Sequence, residues 1–552
     1  MYRDPDREAA IAKLVSPLTV ANAVDRNAEK LGDAPALVEG ARRLTWRQVK
    51  EQTERLALAL LNLGVTRNDL ALVQMPNGID LYIIRVACEK AGITHVTAPI
   101  TFREAELRAI VEHTRPSLAL VPSHYRGADC ARMVAGLLQR GSSEGLVLPS
   151  PAGKTSEGLV VAVGESCPPG VLSMSELLSR PTRKPRILRE TRLGFFDIVE
   201  IQTTSGSTGV PKCVDVPTDS RALTGCIQAR RYGVVSSDVV AAFTPLITGS
   251  SNALGYYFGS QLGITLVLAS HFDESEALEI LATEQVTVAI AVPTMLVRLA
   301  KHPGLSPQRL PSLRVIVTHG APLAAELGRE IEVRTGARIV EAYGSADYGG
   351  ICATRFDDPQ AVRLLTVGKA LEGNDLRLVD EEGRDVPRGE VGRILVRGLH
   401  AVAGYHDNPE LQASAWATGY FDAQEFGRLD DDGNLVLAGR LKDLIIRGGQ
   451  NIYPVDVENL LAKHPKVRHV AVVGIPDTEY GEKVCACVVT HPGETLTLPE
   501  LVEYLKAQQI ARFKLPEYLE LFDELPKGVG GLAKVDKARL RAIVASRSES
   551  AL

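Results

Sequence analysis

Apolar and polar positions alternate along this chain with two different periods. Between residues 30 and 125, TWRQVKEQTERLALALLNLG spaces its apolar residues three and four apart and predicts an amphipathic helix. DLALVQMP predicts a short strand, IDLYIIRVACEKAG a second helix and THVTAPI a second strand. Such alternation argues for parallel strands joined by helical crossovers. A second block, 197–320, repeats the scheme: DIVEIQTT, ITLVLAS and LRVIVTHG are short enough for buried strands, and VTVAIAVPTMLVRLA reads as a strand feeding a helix. From about residue 365 the pattern shortens to strands and turns, as in NDLRLVDEEGRDVPRGEVGRILVRG. After GNLVLAGRLKDLIIRGGQNIYP, helices and strands return on a smaller scale, which places a domain boundary near Gly439–Lys442. The segment 141–160, GSSEGLVLPSPAGKTSEGLV, holds no lasting period and predicts a surface excursion. The expected fold is α/β: a large part, residues 1–439, of parallel-sheet subdomains plus a β-rich portion, and a small α+β domain, 440–552.

Composition sharpens this picture in three places. A chain of 552 residues with 45% hydrophobic residues exceeds what one core supports, since single cores stop growing near ~250–300 residues. Lys plus Arg number 62 against 67 Asp plus Glu, so no cationic excess exists to neutralise a phosphate backbone, and nucleic acid is not an expected partner. The eight cysteines (88, 130, 167, 213, 226, 352, 485 and 487) lack the paired CxxC spacing of a zinc site and read as reduced thiols. Cys485 and Cys487 alternate within KVCACVVT, which puts both on one face of a strand. MYRDPDREAAIAKL has no apolar signal-peptide core, and no run reaches ~18 apolar residues, so the expected setting is cytoplasmic, without membrane.

The densest chemical signal is Thr203-Thr204-Ser205-Gly206-Ser207-Thr208-Gly209-Val210-Pro211-Lys212, directly after a predicted strand. Glycines and small hydroxyl residues let backbone N–H groups and side chains close on phosphate oxygens, and the lysine adds charge. The spacing differs from GxxxxGK[ST] of P-loop nucleotide hydrolases. Five of these residues alone would read as a flexible turn; ten in register would not. Further segments follow in order: THGAPLAAEL (318–327), EAYGSADYGG (341–350), FDAQEFGRL (421–429), GRLKDLIIRGGQNIYP (439–454) and FKLPEYLELFDELPKGVGGLAKVDKARLR (513–541).

This series resembles the motifs of the acyl-adenylate-forming superfamily, the AMP-dependent synthetases and ligases, which includes acyl-CoA synthetases, aryl-acid ligases and luciferases. The resemblance implies that Thr204, Ser205, Gly206, Ser207, Thr208, Gly209 and Lys212 hold the nucleotide phosphates. It implies that Gly320, Ala321 and Pro322 border the adenine and acyl sites, that Glu341, Ala342, Tyr343 and Gly344 line the adenine site with Tyr343 as its stacking platform, and that Asp347 holds Mg. Glu425 and Arg440 would reach ribose or phosphate, and Lys442 would be the hinge of a mobile C-terminal domain. Arg447, Gly448 and Gly449 would face the pantetheine of CoA, and Lys534 would stabilise charge during adenylation. For the acid, FTPLITGSSNALGYYFG (243–259) matches the acyl-pocket segment, with Gly249, Ser250, Ser251 and Gly255, alongside Gly320, Ala321, Gly344, Ser345 and Ala346. Small residues there leave room for a bulky or polycyclic acid. The histidine common after Pro-Leu in relatives is replaced near Thr248, and aryl-acid ligases carry a carboxylate-gripping asparagine at about the place of Gly249.

Departures cluster on the nucleotide side. Cys213 replaces a glycine past the phosphate-binding core of its motif and does not bear on it, but Ala346 and Asp347 stand where threonine and glutamate are common, and Glu425 stands in for an aspartate. Lys534 follows Pro526 by eight positions where the family has six, and Ala533 replaces a glycine. The resemblance implies an acyl-CoA ligase acting through an acyl-AMP, with ATP or acyl-AMP, CoA and Mg as its cofactors and a small carboxylic acid or its adenylate as substrate. The departures raise the expectation that adenylation is impaired while thioester formation from acyl-AMP survives. An enzyme loading a carrier protein and a non-catalytic nucleotide-binding homologue are the alternatives. A separate adenylating enzyme as partner and self-association are left open.

Overall fold

The computed structural model describes the chain apart from residues 1–3, 68, 144–157, 165–166, 181–184, 205–210, 448–449, 478–479, 509, 527–534 and 550–552. Two compact units form. The first takes in residues up to 375 and 397–419, the second 376–396 and 420 onward. The second unit therefore includes most of the β-rich portion that the sequence pattern assigns to 1–439, and the expected boundary near Gly439–Lys442 falls inside it.

Two sheets organise the first unit. In the eight-stranded sheet, Ile198–Thr204, Thr94–Thr97, Leu70–Val73, Leu118–Pro122, Leu159–Val163 and Leu172–Ser173 run parallel, and Lys212–Pro217 and Gly404–Tyr405 add antiparallel at one edge. The nine-stranded sheet has six parallel strands: Pro35–Glu39, Thr265–Leu268, Val239–Ala242, Val288–Ala291, Val315–His319 and Arg338–Ser345. Antiparallel strands flank it at both ends. Both faces of these strands are covered, which is why they read as continuous apolar runs. Ala71 and Val73 join the main core while Leu72, between them, joins the cluster on the opposite face. The helix Ile79–Ala91 is buried at every position but Asp80, and the cations it buries are paired, Arg85 with Glu200 and Lys90 with Asp25. The predicted surface excursion falls mostly on residues outside those described; its end, from Leu159, is a strand of the sheet.

The second unit holds an antiparallel sheet of Asn374–Val379, Gly392–Gly398, Phe421–Leu429 and Leu435–Arg440. It also holds a five-stranded sheet centred on the paired strands Val467–Asp477 and Gly481–Thr490, with helices Pro454–Leu461, Leu498–Ala507 and Lys537–Glu549. Cys485 and Cys487 lie buried on one face of that sheet, and all eight cysteines are free thiols. No helix among the described residues is long and apolar enough to cross a membrane.

Candidate functional site

Parallel strands end where their backbone amides and following turns are open to a ligand; the expected phosphate and acyl segments and the Gly320–Pro322 turn follow such ends, while Glu341–Gly344 lie within the strand Arg338–Ser345. Thr204 ends the strand Ile198–Thr204, and its antiparallel partner begins at Lys212, directly opposite Thr204. Ser205–Val210 connect the two and lie outside the described residues. Thr203 is tied down by its hydroxyl, which donates to the Thr97 carbonyl at 2.7 Å.

Lys212 extends to Asp347, with Nζ 3.0 Å from Oδ2, and the Tyr405 hydroxyl donates to the same oxygen at 2.7 Å. The two charges are partly exposed, at 26% and 15%. Burial, then the adjacent Asp347 carboxylate, pushes the Tyr405 phenol far up, so it remains a proton-bearing donor. Asp347 is fixed further by its own N–H, which donates to Ser345 Oγ at 3.1 Å. The Ala346 carbonyl accepts from the buried Arg221 guanidinium at 3.2 Å, and Arg221 also reaches Gln202 at 2.8 Å. Gln202 in turn donates to the Ile247 carbonyl at 2.7 Å, tying the phosphate-side strand to the acyl segment.

On the adenine side, Tyr343 is half-buried, and Glu341 and Ala342 are buried. Burial alone pushes the Glu341 carboxyl up to about 8, so it is largely protonated at neutral pH. Gly344 is required by close approach: a Cβ there would stand 2.4 Å from the Gly349 carbonyl oxygen across the strand pair. Gly320, Ala321 and Pro322 follow directly on the strand Val315–His319, with Gly320 and Pro322 exposed.

The acyl segment opens with Gly249 and Ser250 and continues as a π-helix, Ser251–Phe258, a form found mostly at functional positions. Ser250 and Ser251 are buried. Gly255 faces inward, with Leu246, Leu266 and Ile290 at van der Waals distance from where its Cβ would be. Behind this helix lies a fully buried ionic centre. Arg85 Nη2 meets Glu200 Oε2 at 2.9 Å, with Asn252, Tyr257 and Thr97 also on the Glu200 carboxylate. Burial pushes Glu200 up, but Arg85, His95 and Thr97 together outweigh it and hold the carboxyl below its ordinary value.

The second unit's expected residues are described by themselves. Glu425 and Arg440 face one another across paired strands, Arg440 Nε 3.1 Å from Glu425 Oε1. Lys442 is exposed within the short 3-10 turn Leu441–Asp443, and its carbonyl accepts from Arg541 at 2.8 Å. Arg447 donates to Glu517 at 2.6 Å and lies 4.2 Å over the Tyr480 ring. Gly448, Gly449 and Lys534 lie outside the described residues.

Sequence reasoning missed Tyr405 and Arg221. Tyr405 stands 58 residues from Asp347 and Arg221 125 from Ala346, so no local spacing links either to the motif it serves. Among the described residues no group of three or more His, Cys, Asp or Glu side chains could hold a metal by itself.

A family model described as AMP-binding enzyme matches residues 24–406, and one described as AMP-binding enzyme C-terminal domain matches 456–531. A salicylyl-CoA synthase / salicylate adenylyltransferase from a Streptomyces species is 34% identical, over 95% of this chain and 93% of its own length. The 2-hydroxy-7-methoxy-5-methyl-1-naphthoate–CoA ligase of Streptomyces carzinostaticus is 30% identical, over 95% and 92%. Among solved structures, ATP-bound MatB from Rhodopseudomonas palustris has a TM-score of 0.82 at 24% identity, covering 96% of this chain and 99% of that one, a likeness of fold. With both its main and its C-terminal part matched, the chain belongs to the AMP-binding enzyme family of adenylate-forming enzymes.

Proposed function

We propose that this chain joins an aromatic carboxylic acid to CoA through an acyl-AMP. A carboxylate oxygen attacks the ATP α-phosphorus and expels pyrophosphate. The CoA thiol, losing its proton, then attacks the acyl carbon and AMP leaves. No residue forms a covalent intermediate; catalysis is positioning and electrostatic stabilisation. The observation that carries this reading is the Lys212–Asp347–Tyr405 cluster, a cation and a carboxylate held beside the strand end from which the phosphate loop departs. The aromatic acid is supported by the salicylate and naphthoate named for the two relatives.

Asp347 suits Mg²⁺, which binds through one or two carboxylates plus substrate phosphates, and among the described residues Lys212 and Tyr405 both engage its Oδ2. Bound there, the ion supplies charge neutralisation to the phosphates. Thr204 to Gly209 and Lys212 hold the phosphates, Tyr343 with Glu341, Ala342 and Gly344 the adenine, and Glu425 with Arg440 the ribose or phosphate. Lys534 stabilises the adenylation transition state, and Arg447, Gly448 and Gly449 serve CoA. Lys442 is the hinge, with residues 440–552 turning as the mobile part. Replacing Lys442 with proline, which fixes φ near ~−65°, should cut thioester formation by about tenfold or more while nucleotide affinity holds; full thioester turnover would remove the hinge.

The same departures that lie on the nucleotide side support a slower first half-reaction. Ala346 offers a phosphate no hydroxyl, which removes one hydrogen bond of order ~1–3 kcal/mol, and the Glu425 carboxylate is engaged by Arg440. The test is product analysis with a panel of aryl acids, ATP and either CoA or a phosphopantetheinyl carrier protein. A CoA thioester is the expected product. Transfer to the carrier alone would replace this reading with carrier loading, and bound nucleotide without either thioester would make the chain a non-catalytic homologue.

A further inference from the structure

His319 ends the strand Val315–His319 and is 7% exposed. Its ring lies against Gly249: a Cβ built on Gly249 would stand 2.2 Å from His319 Cε1 and 2.4 Å from Nδ1. No side chain beyond hydrogen therefore fits at 249 while the imidazole stays in place. Gly249 also sits at φ +50°, a left-handed conformation that glycine adopts freely and most residues do not. The glycine and the histidine form one arrangement, in which a ring from one strand end takes the space that a side chain at the start of the acyl segment would occupy.

The surroundings are polar where a lipid-like acyl tunnel would be apolar. Thr244 Oγ1 lies 3.5 Å from His319 Nε2 and 2.5 Å from Ser251 Oγ. Ser250 Oγ is buried with no hydrogen-bond partner among the described residues. Leaving such a group unsatisfied costs ~1–3 kcal/mol, a cost that a ligand oxygen removes. Gly249, against which the ring lies, is itself exposed. His319 also directly precedes the Gly320–Pro322 turn. In the proposed function that turn borders the adenine and acyl sites, which sets His319 toward the carboxyl end of the acid rather than the far end of the ring system.

We infer that His319 is a specificity-determining residue of the acyl site, and that its imidazole hydrogen-bonds an oxygen substituent adjacent to the carboxyl group of an aryl acid. A neutral imidazole both donates and accepts, which matches a hydroxyl. A site built to bond a substrate hydroxyl discriminates strongly against the analogue lacking it. This inference rests on the acid-activating function proposed above.

The test is acid-dependent pyrophosphate release with benzoate, 2-, 3- and 4-hydroxybenzoate, 1-naphthoate and 2-hydroxy-1-naphthoate. It is run on the wild-type chain and on His319→Phe, which keeps a ring without hydrogen bonds, and His319→Gln, which keeps a donor and an acceptor. The wild type is expected to favour each 2-hydroxy acid over its parent by about tenfold or more in kcat/KM. In His319→Phe that ratio should fall toward one, with KM for the acid rising and KM for ATP steady. His319→Gln should keep part of the ratio, and it carries the test alone if His319→Phe fails to fold. An unchanged ratio in the folded variants, or a wild type indifferent to the 2-hydroxyl, would overturn the inference while leaving the ligase intact. Pyrophosphate release with none of these acids, in a chain that binds ATP, would instead overturn the aryl-acid function itself and this inference with it.

Discussion

One strand carries two charged sites that differ in almost every respect. Near its start, Glu200 is fully buried and bonded to Arg85, Thr97, Asn252 and Tyr257. At its other end Thr204 stands opposite Lys212, whose ammonium meets Asp347 in partial contact with solvent. Both sites pair a cation with a carboxylate at about hydrogen-bond distance. The first has no room to change partner: Arg85 spends its other donors on His95, the Leu246 carbonyl and Asn252, and its guanidinium lies 3.7 Å over the Tyr256 ring. The second pair is partly exposed, as a pair must be if Lys212 is to exchange a carboxylate for a phosphate in the proposed function. The buried charge is surrounded by fixed partners, and the partly exposed one is not.

This contrast is most exposed to Arg85→Met. Leaving Glu200 buried without its cation should destabilise the fold by ~3–5 kcal/mol, read by urea unfolding, and the double variant Arg85→Met/Glu200→Met should recover much of it. If the single variant costs no more than a surface substitution, the buried pair is not structural. Lys212→Ala should do the reverse. Removing one charge-stabilising donor from the phosphates should cost ~3–4 kcal/mol in activation, a hundredfold or more in pyrophosphate release. Its unfolding midpoint should hardly move, since a partly exposed pair contributes ~0–1 kcal/mol.

The pH dependence of stability separates the sites again. Burial, with help from Arg85, pushes His95 down to about 3, and burial pushes His400 down to about 4. Both fold as neutral rings while the unfolded chain takes up protons near the ordinary histidine value of ~6.5. Their contribution is thus complete above that pH and is lost as pH falls toward 4 and then 3. His95→Gln, which can still accept from Arg85, should flatten the acid limb by ~1.4 kcal/mol per pH unit. An unchanged slope would mean that His95 titrates freely. The smallest effect belongs to Tyr405→Phe, which takes one hydrogen bond from Asp347. About tenfold slower pyrophosphate release is expected, with a higher Mg²⁺ requirement, consistent with ~1.5 kcal/mol for a bond to a charged group. Full activity would make Tyr405 a bystander.

Much of the first unit was legible in sequence because each strand and helix carries its own period. Ile79–Ala91 and Val315–His319 fall within the segments that the apolar pattern marks. The four-stranded sheet was not assigned to its unit, because short antiparallel strands such as Phe421–Leu429 give no cue to what they pack with. Motif residues could be named wherever they run consecutively, as at Glu341–Asp347. Their long-range partners could not: Tyr405 lies in a stretch without chemical spacing, and His319 reads as the polar end of an apolar strand until Gly249 is found beneath it. The strand pairing that sets Glu425 opposite Arg440 was likewise not visible, since the two stand fifteen residues apart.

The central claim is that this chain converts an acyl-AMP into a CoA thioester, with the adenylate made more slowly than it is consumed. Two rates on one enzyme preparation test it most directly: acid-dependent pyrophosphate release from ATP, and CoA thioester formation from synthetic 2-hydroxybenzoyl-AMP. The account predicts that both proceed and that the second is faster. Comparable rates, or a faster first step, would contradict the slower adenylation, and pyrophosphate release without any thioester from the preformed adenylate would contradict the ligase itself.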